Sequence, residues 1–293
     1  MILNAATLAL LAQTVDMRFQ AGGARAVTAW DAVAMTVPSA SAENIYPYLK
    51  DVGAIREWVG DRVIQNLAKG EFSIKNKDYE QTQGVPRTAV DDDAYGVYGP
   101  MFENMGLNVA SFPADQIFPT LKAGFTTLGP DGQYFFDTDH PVGSGVVSNF
   151  MGGSGEAWYI IDASKVYKPV IWQPRKAFNM VKLFSETDPN VFFKKEYVWG
   201  VDGRAGVGYS PFWQLAFGSK QTLDATNITA TLVAMASQKG ESGKPLKVTP
   251  THLVCSPTLG ETARKIFGAE LINGGESNVL KGRLQVIEAP ELL

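Results

Sequence analysis

The sequence is poor in the side chains on which most metal sites and many enzyme sites depend. One cysteine, Cys255, and two histidines, His140 and His252, occur among 293 residues. A single cysteine can form neither an intrachain disulfide nor a cysteine-cluster metal site, and two histidines cannot build a histidine-rich one. Cys255 lies in an apolar run, which is typical of a buried and unreactive thiol. Nothing in this pattern requires an oxidising compartment.

A strong charge of one sign and long apolar runs are also missing. The 26 basic and 30 acidic residues nearly balance, and Lys and Arg form no dense run that would indicate nonspecific nucleic-acid binding. No segment reaches the ~18 consecutive apolar residues of a membrane span. The apolar start of the chain has no basic residue before Arg18. It therefore predicts an amphipathic helix, not a secretory signal, with one face formed by Leu8, Leu11, Ala12 and Val15.

Motifs for nucleophilic catalysis and phosphate binding do not occur either. The segment GGSGE at 152–156 has glutamate where a nucleophile elbow needs glycine, and there is no G-x-x-x-x-G-K-S/T loop. Gly203, Gly206 and Gly208 lie between strand-like runs and not at the strand-to-helix turn of a dinucleotide site. These absences predict a protein that is not an enzyme and binds no cofactor.

The stretch GQYFFDTDHPV brings two acids and a histidine together. Asp137, Asp139 and His140 are residue types that build metal or acid–base sites. Aspartates before a proline are also strong turn formers, and Pro141 keeps His140 out of helical geometry. We expect a structural turn, anchored by Tyr134–Phe136, in which His140 hydrogen-bonds backbone or a carboxylate and binds no metal.

The first part of the chain predicts a helix, an arm and a hairpin. Residues 1–20 read as the helix, and the Ala-, Gly- and Ser-rich segment after them must lie on its own body or on a neighbour's. Phe72 and Ile74 alternate with polar residues, Asn76-Lys77-Asp78 supplies a turn, and a second strand runs from Tyr79. The faces of this hairpin are unusually polar, so we expect it to project from the body towards a partner or neighbouring subunit.

A long broken helix is predicted over residues 94–127. Asp91–Asp93 place three carboxylates before its positive end, and Ser111 would cap a second segment with Pro113 in its first turn. Its buried face is marked by an apolar stripe: Ile117, Phe118, Leu121, Phe125 and Leu128.

The composition and the predicted elements change twice in the second half of the chain. The Gly- and Ser-rich segment 143–156 predicts a mobile loop. Strand-like runs follow up to Ser219, with Asp202-Gly203 as a hairpin turn signal. Two helices and two short strands alternate over 220–293 and predict a small α/β unit with its own core.

Five blocks, in this order and spacing, resemble the major head subunit of Mu-like phages and prophages. The resemblance covers nearly the whole chain, and FFDTDHP together with the GVDGR and FWQLAFGS segments is its most specific part. The blocks are EWVGDR (57–62), DDDAYGVYGPMFENMG (91–106), KAGFTTLGPDGQYFFDTDHPV (122–142), YVWGVDGRAGVGYSPFWQLAFGS (197–219) and THLVCSPTLGETARKIF (251–267).

The resemblance implies an α+β Hong Kong 97-type capsid fold, in which a spine helix lies beside a sheet. The hairpin at 70–88 would be the extended loop and the broken helix at 94–127 the spine. The implied divisions are an N-terminal arm at 1–40, an extended-loop region at 41–90, a peripheral domain at 91–219 and an axial domain at 220–293. The arm and the polar hairpin make sense if each lies on a neighbouring subunit.

The resemblance also implies a function: self-assembly, as hexamers and pentamers, into an icosahedral shell around double-stranded DNA that is held only nonspecifically. Partners would be a portal, a decoration protein and, since no long charged helix precedes the arm, a separate scaffold protein. The subunit would assemble in the bacterial cytoplasm and reside in the virion, with no membrane contact. Expected contacts between subunits are Trp58, Arg62, Phe72, Ile74 and Tyr79.

Two other functions remain open from the sequence. One is a decoration or minor head protein of the virion, which copy number per particle would distinguish from a shell subunit. The other is a metal-dependent hydrolase that uses Asp137, Asp139 and His140 together with Asp91–Asp93.

Overall fold

The computed structural model describes residues 5–49, 69–92, 95–240, 243–271 and 275–293. Residues 53–60, for which the sequence favours a short helix, lie outside these ranges. The helices are α1 (Ala5–Ala24), α2 (Arg87–Asp91), α3 (Tyr95–Ala123), α4 (Pro189–Lys194), α5 (Ala225–Ala236) and α6 (Pro257–Gly268). The strands are β1 (Ala34–Thr36), β2 (Glu43–Leu49), β3 (Lys69–Lys75), β4 (Lys77–Pro86), β5 (His140–Val142), β6 (Gly145–Val147), β7 (Phe150–Gly153), β8 (Trp158–Ile161), β9 (Val170–Leu183), β10 (Glu196–Tyr209), β11 (Ala216–Lys220), β12 (His252–Cys255) and β13 (Gln285–Glu288).

Helix α1 confirms the amphipathic helix that the sequence predicts. Leu8, Ala12 and Val15 are buried, and the helix packs along α3 of the same chain. The two backbones approach closely because glycines stand at the crossing: a Cβ on Gly106 would lie 1.9 Å from the carbonyl oxygen of Phe19. This part of the arm therefore lies on the spine helix of its own chain, and contact of the arm with a neighbouring subunit stays a prediction.

Helix α3 is continuous over 29 residues, so the predicted break is wrong. Pro100, Pro113 and Pro119 all lie inside it. Ser111 is not a cap; its hydroxyl donates to the carbonyl oxygen of Leu107 at 2.9 Å. Each proline removes a helix hydrogen bond, but the packing of the predicted stripe holds the helix together. Buried members of that stripe are Ile117, Phe118 and Leu121, whereas Leu128 is exposed beyond the helix end.

The acidic residues before the spine helix do not occupy the helix-start position that the sequence predicts. Asp91 is the last residue of α2 and Asp92 is its C-cap, while Asp93 lies outside the described residues. The chain already makes a helical turn from Arg87, so the described acids close one helix and do not cap the next.

A four-stranded sheet has the order β1-β9-β10-β4 and carries α3 and α1 on one face. Alternate residues of β10 are buried on that face, including Tyr197, Trp199 and Val201. β10 runs through Asp202 and Gly203, where its pairing with β9 shifts register. The predicted turn there is instead a bulge in one long strand, because β9 continues as its partner on both sides.

The predicted hairpin of β3 with β4 is wrong, although both segments are strands. β3 pairs antiparallel with β2, from Lys75 opposite Glu43 to Lys69 opposite Leu49. β4 pairs antiparallel with β10 over ten residue pairs. Among the described residues, the extended loop that the resemblance implies therefore corresponds to β2 and β3, and β4 belongs to the four-stranded sheet. Asn76 between them is buried, whereas a projecting turn would expose it.

A five-stranded sheet has the order β13-β12-β8-β11-β7 and packs against α5 and α6. The two helices and two strands predicted within 220–293 are present. The sheet also contains β7, which lies within the predicted mobile loop, and β8, which follows that loop. The predicted boundary at 219/220 falls inside β11. The division into domains stays a prediction.

Candidate functional site

His140 lies at the centre of the turn that the sequence singles out. Its side chain is fully buried and stacks on the indole of Trp213, with ring centroids 4.0 Å apart. Nδ1 lies 2.6 Å from a carboxylate oxygen of Asp131, and Nε2 lies 3.1 Å from Oδ1 of Asn149. The expected hydrogen bond to a carboxylate is confirmed, and the carboxylate belongs to Asp131, which the sequence reasoning did not name.

The orientation of Asn149 determines the direction of its hydrogen bond with His140. Its Nδ2 donates to the carbonyl oxygens of Phe135 at 2.8 Å and Ala216 at 3.2 Å, and its Oδ1 accepts the backbone N–H of Asp137 at 2.9 Å. Oδ1 can only accept from the imidazole, so Nε2 donates. Nδ1 faces the carboxylate of Asp131, so both ring nitrogens have a polar partner.

Asp137 fixes the turn, as predicted. One oxygen of its carboxylate accepts the N–H of Thr138 at 2.7 Å, and the other accepts the N–H of Tyr134 at 3.2 Å. Pro141 lies in the short β5–β6 hairpin, opposite Val146. Asp139 is exposed and its carboxylate makes no hydrogen bond among the described residues, so nothing there supports its predicted role.

A cavity beside the turn shows what this region offers a ligand. It has a volume of about 490 Å³ and an aromatic wall of Phe125, Phe136 and Phe150, with Asp137 and Lys220 at its edge. Lys220 lies over the Phe125 ring, 4.3 Å from its centroid. The His140 ring does not line this cavity. Histidine and carboxylate are therefore not presented together to a bound molecule.

Other candidate sites for chemistry are similarly inaccessible. Cys255 is fully buried, and its burial, followed by the carboxylates of Glu288 and Glu156, raises the pKa of the thiol to about 12. In the described ranges, no cluster of three or more His, Cys, Asp or Glu residues is placed to hold a metal ion. Within the same ranges, no helix is long and apolar enough to cross a membrane.

The residues predicted to contact neighbouring subunits fall into three groups. Trp58 and Arg62 lie outside the described residues. Ile74 is only 4% exposed, against Gly206 and Gly208 of its own chain, so it has almost no surface left for a neighbour. Phe72 and Tyr79 keep partly exposed side chains.

Both of these aromatic residues also have partners in their own chain. Phe72 stacks on Tyr46 at 5.1 Å, and Tyr79 packs edge-on against Phe112 of α3 at 4.6 Å. Their contact with other subunits stays a prediction.

A buried polar network at the root of the extended loop was missed by sequence reasoning. Gln173 of β9 is fully buried; its Nε2 donates to Oδ1 of Asn76 at 2.8 Å, and its Oε1 accepts the hydroxyl of Tyr46 at 2.6 Å. Asn76 donates to Ser39 at 2.8 Å, and Ser39 donates to Asn44 at 2.8 Å. We call these five residues the base network. They join the arm and the root of the extended loop to the four-stranded sheet.

Solved structures of the same architecture define the class of protein. The chain superposes on the procapsid subunit of bacteriophage JBD30 with a TM-score of 0.87 and 37% identity, covering 99% of this chain and 100% of that one. The JBD30 capsid matches with a TM-score of 0.80 and 30% identity, over the full length of both chains. The fold is that of a phage capsid subunit of the Hong Kong 97 type.

The family follows from the sequence comparisons. The family model described as Mu-like prophage major head subunit gpT matches residues 8–292. The Mu-like prophage FluMu major head subunit of Haemophilus influenzae is 38% identical over 86% of each chain. The major capsid protein of Escherichia phage Mu is 36% identical over the whole of both. The chain belongs to the Mu-like major head subunit family, and it is a major capsid protein.

Proposed function

We propose that many copies of this chain assemble, as hexamers and pentamers, into an icosahedral shell that encloses double-stranded DNA. The observation that carries this proposal is the two-stranded extended loop. β2 and β3 pair only with each other within the described residues, outside both sheets, and Ile45 on β2 is 66% exposed. A ribbon of two strands has too little core to be stable alone. It gains stability when it lies on a neighbouring copy, which makes it a link between subunits.

The proposed partners follow from the same role. Assembly takes place in the host cytoplasm with a separate scaffold protein and a portal, and the subunit resides in the virion. A related capsid, that of JBD30, carries minor capsid protein trimers as decoration; this chain matches it with a TM-score of 0.79 and 32% identity over 94% of both chains. This match supports a decoration protein here as well. The near-balanced charge of the chain fits a wall that holds DNA only nonspecifically.

We also propose that the subunit has no catalytic activity. Its buried histidine is held by Asp131, Asn149 and Trp213, and its thiol is kept protonated by burial. Neither group is placed to reach a substrate.

Electron microscopy of the purified protein, alone and together with its scaffold protein, tests the proposed assembly. We expect closed shells of uniform diameter. Monomers that persist under every condition would contradict the proposal. Counting copies per particle separates a shell subunit, present throughout the wall, from a minor head protein present in a few copies.

A further inference from the structure

The cavity beside the His140 turn has a rigid aromatic wall. The ring centroid of Phe125 lies 4.9 Å from that of Phe136 and 5.2 Å from that of Phe150. A glycine behind the rings lets them lie close to the sheet, since a Cβ on Gly218 would come within 2.9 Å of both Phe125 and Phe136. These contacts fix the rings, so the wall is formed before any ligand arrives. The volume of about 490 Å³ is in the range of ligand-binding cavities.

Lys220 brings an unpaired cation to this wall. Its ammonium group lies over the Phe125 ring and has no carboxylate partner among the described residues. The backbone of Lys220 is held in place: its carbonyl oxygen accepts the N–H of Gly155 at 2.8 Å, and Gly153, with φ of 96°, packs directly against it. A cation over an aromatic face keeps its charge, so an anionic group brought to the cavity would gain an ion pair.

The acidic residues of the adjoining loops have partners other than Lys220. Asp137 lines the cavity, but its two carboxylate oxygens accept backbone N–H groups of the turn. Glu156 follows the glycine-rich segment, and its carboxylate accepts the hydroxyls of Ser256 and Thr258. The positive charge of Lys220 is therefore left for a ligand.

An edge strand forms one side of the cavity. β7 is the last strand of the five-stranded sheet; it pairs with β11 and has no neighbour on its other side in the part of the chain that the structure describes. Phe150 begins β7 and Gly153 ends it, and both line the cavity. An extended peptide can add to such an edge through backbone hydrogen bonds while alternate side chains enter a pocket. Residues two positions apart in an extended segment project to the same side, about 7 Å from each other.

We propose that the cavity binds an extended segment of a separate partner protein, in which an aromatic residue and an aspartate or glutamate stand two positions apart. The segment lies along β7, its aromatic ring packs against Phe125, Phe136 and Phe150, and its carboxylate pairs with Lys220. The two-residue spacing places both side chains on the face of the segment that meets the cavity. This inference concerns a binding partner and goes beyond the proposed assembly of the shell.

The described part of this chain exposes no segment of that kind. Its exposed aromatic residues are Tyr134, Tyr167, Phe192 and Phe193, and none has an acidic residue two positions away. A lysine stands at that spacing from Tyr167, Phe192 and Phe193, and its ammonium group would repel Lys220. These segments of a second copy would bring the wrong charge to the cavity, which favours a different protein as the occupant.

Fluorescence anisotropy with synthetic peptides tests the chemistry of the site. The probe is a fluorescein-labelled peptide of sequence TVTFTETV, added to dispersed full-length subunits; the matched peptide TVTFTQTV lacks the carboxylate. We expect the native subunit to bind the probe at least about fivefold more tightly than the matched peptide. Lys220→Gln should abolish this difference, whereas Lys239→Gln, at an exposed position that does not line the cavity, should preserve it.

Melting temperatures of both variants should match that of the native subunit, because neither lysine is buried. No binding of the probe to the native subunit, or equal binding of the two peptides, would overturn the proposal. So would a Lys220→Gln variant that still distinguishes the peptides.

Photo-cross-linking in cells that produce the phage tests the identity of the occupant. Benzoylphenylalanine is introduced in place of Ser154, an exposed residue at the edge of the cavity, and in place of Val279, which is 88% exposed elsewhere, as the control. We expect a different protein to be linked at position 154 and not at position 279. Mass spectrometry of the linked peptide should find an aromatic and an acidic residue two positions apart.

Links only to other copies of this chain, links to a peptide without that spacing, or no link at position 154 would contradict the proposed occupant. Electron microscopy of the same cells records shell formation separately. A failure of the proposed assembly would therefore be distinguished from a failure of the proposed docking site.

Discussion

At the scale of single residues, His140 shows how residue types that suggest catalysis can serve a structural role. Its ring is clamped between a carboxylate, an amide oxygen and an indole plane. Asn149 in turn holds the carbonyl ends of Phe135 and Ala216. Asn149 thereby ties the turn after the spine helix to strand β11 of the five-stranded sheet. Such a network stabilises only when every member has its partner.

Substitution of His140 by alanine should destabilise the subunit strongly. It leaves the Asp131 carboxylate without its ring partner, leaves Oδ1 of Asn149 without a donor from the ring, and opens a void against Trp213. We expect a loss of about 3 kcal/mol in the free energy of unfolding, measured by urea denaturation. The control is Asp139→Ala, which should change it by less than about 0.5 kcal/mol. Similar losses in both variants would show that the network does not bear on stability.

At the scale of elements, the α1–α3 crossing and the base network determine where α1 and the extended loop lie. Glycines at the crossing let α1 lie directly on the spine helix, and Glu103 of α3 pairs with Arg18 and Arg25. The base network joins the root of the extended loop to β9 through Gln173. The crossing orients α1 relative to the spine helix, and the base network orients the extended loop relative to the four-stranded sheet.

Adding a methyl group at the crossing should force the helices apart. Gly106→Ala places a Cβ against the Phe19 carbonyl oxygen, and backbone cannot move aside as a flexible side chain can. We expect the free energy of unfolding, measured by thermal denaturation, to fall by about 2 kcal/mol. Proteolysis within α1 should also be faster. The control is Gly268→Ala at the end of α6, where a Cβ would meet nothing within 4 Å. Equal stability of the two variants would contradict the tight crossing.

Removal of the Gln173 amide should loosen the root of the extended loop. Gln173→Ala leaves Oδ1 of Asn76 and the hydroxyl of Tyr46 without their buried partner. We expect faster amide hydrogen exchange in β2 and β3, with β12 unchanged, and a loss of about 2 kcal/mol in stability. Gln20→Ala, at an exposed position on α1, is the control. If exchange in the loop strands stays at the control level, the base network does not hold the loop.

At the scale of the whole molecule, one hydrophobic cluster joins the two sheets. It contains Trp172 and Tyr209 from the four-stranded sheet and Tyr159 and Val254 from the five-stranded sheet, together with Leu121 of the spine helix. A shared core of this kind couples the two sheets, so they should unfold together.

The region 220–293 alone should therefore not fold. It lacks β8, which lies between β12 and β11 in the five-stranded sheet, and most of β11. We expect a fragment of 220–293 to show no cooperative thermal transition by circular dichroism. The fragment 148–293, which restores β7 and β8, should gain helix and strand signal, and the full chain should unfold in one transition. A cooperative transition in the shorter fragment would mean that its helices and two strands are sufficient.

Local patterns were enough to predict a large part of this protein. Spacing of apolar residues identified α1, the buried face of α3, α5 and α6, because a helix buries every third or fourth residue whatever it packs against. The turn residues around Asp137 indicated a structural role for His140, since their bonds are to nearby backbone. The resemblance of whole blocks identified the family.

Only the tertiary structure decided which distant segments meet. The pattern of β3 and β4 suits a hairpin equally well, but strand pairing depends on the competing partners β2 and β10, which no local turn signal reveals. The prolines of α3 suggested a break that packing along the helix prevents. Asp131 and Gln173 became partners of His140 and Asn76 only after folding. The free energy of such pairings comes from contacts between segments, and a short window of sequence does not contain both sides of them.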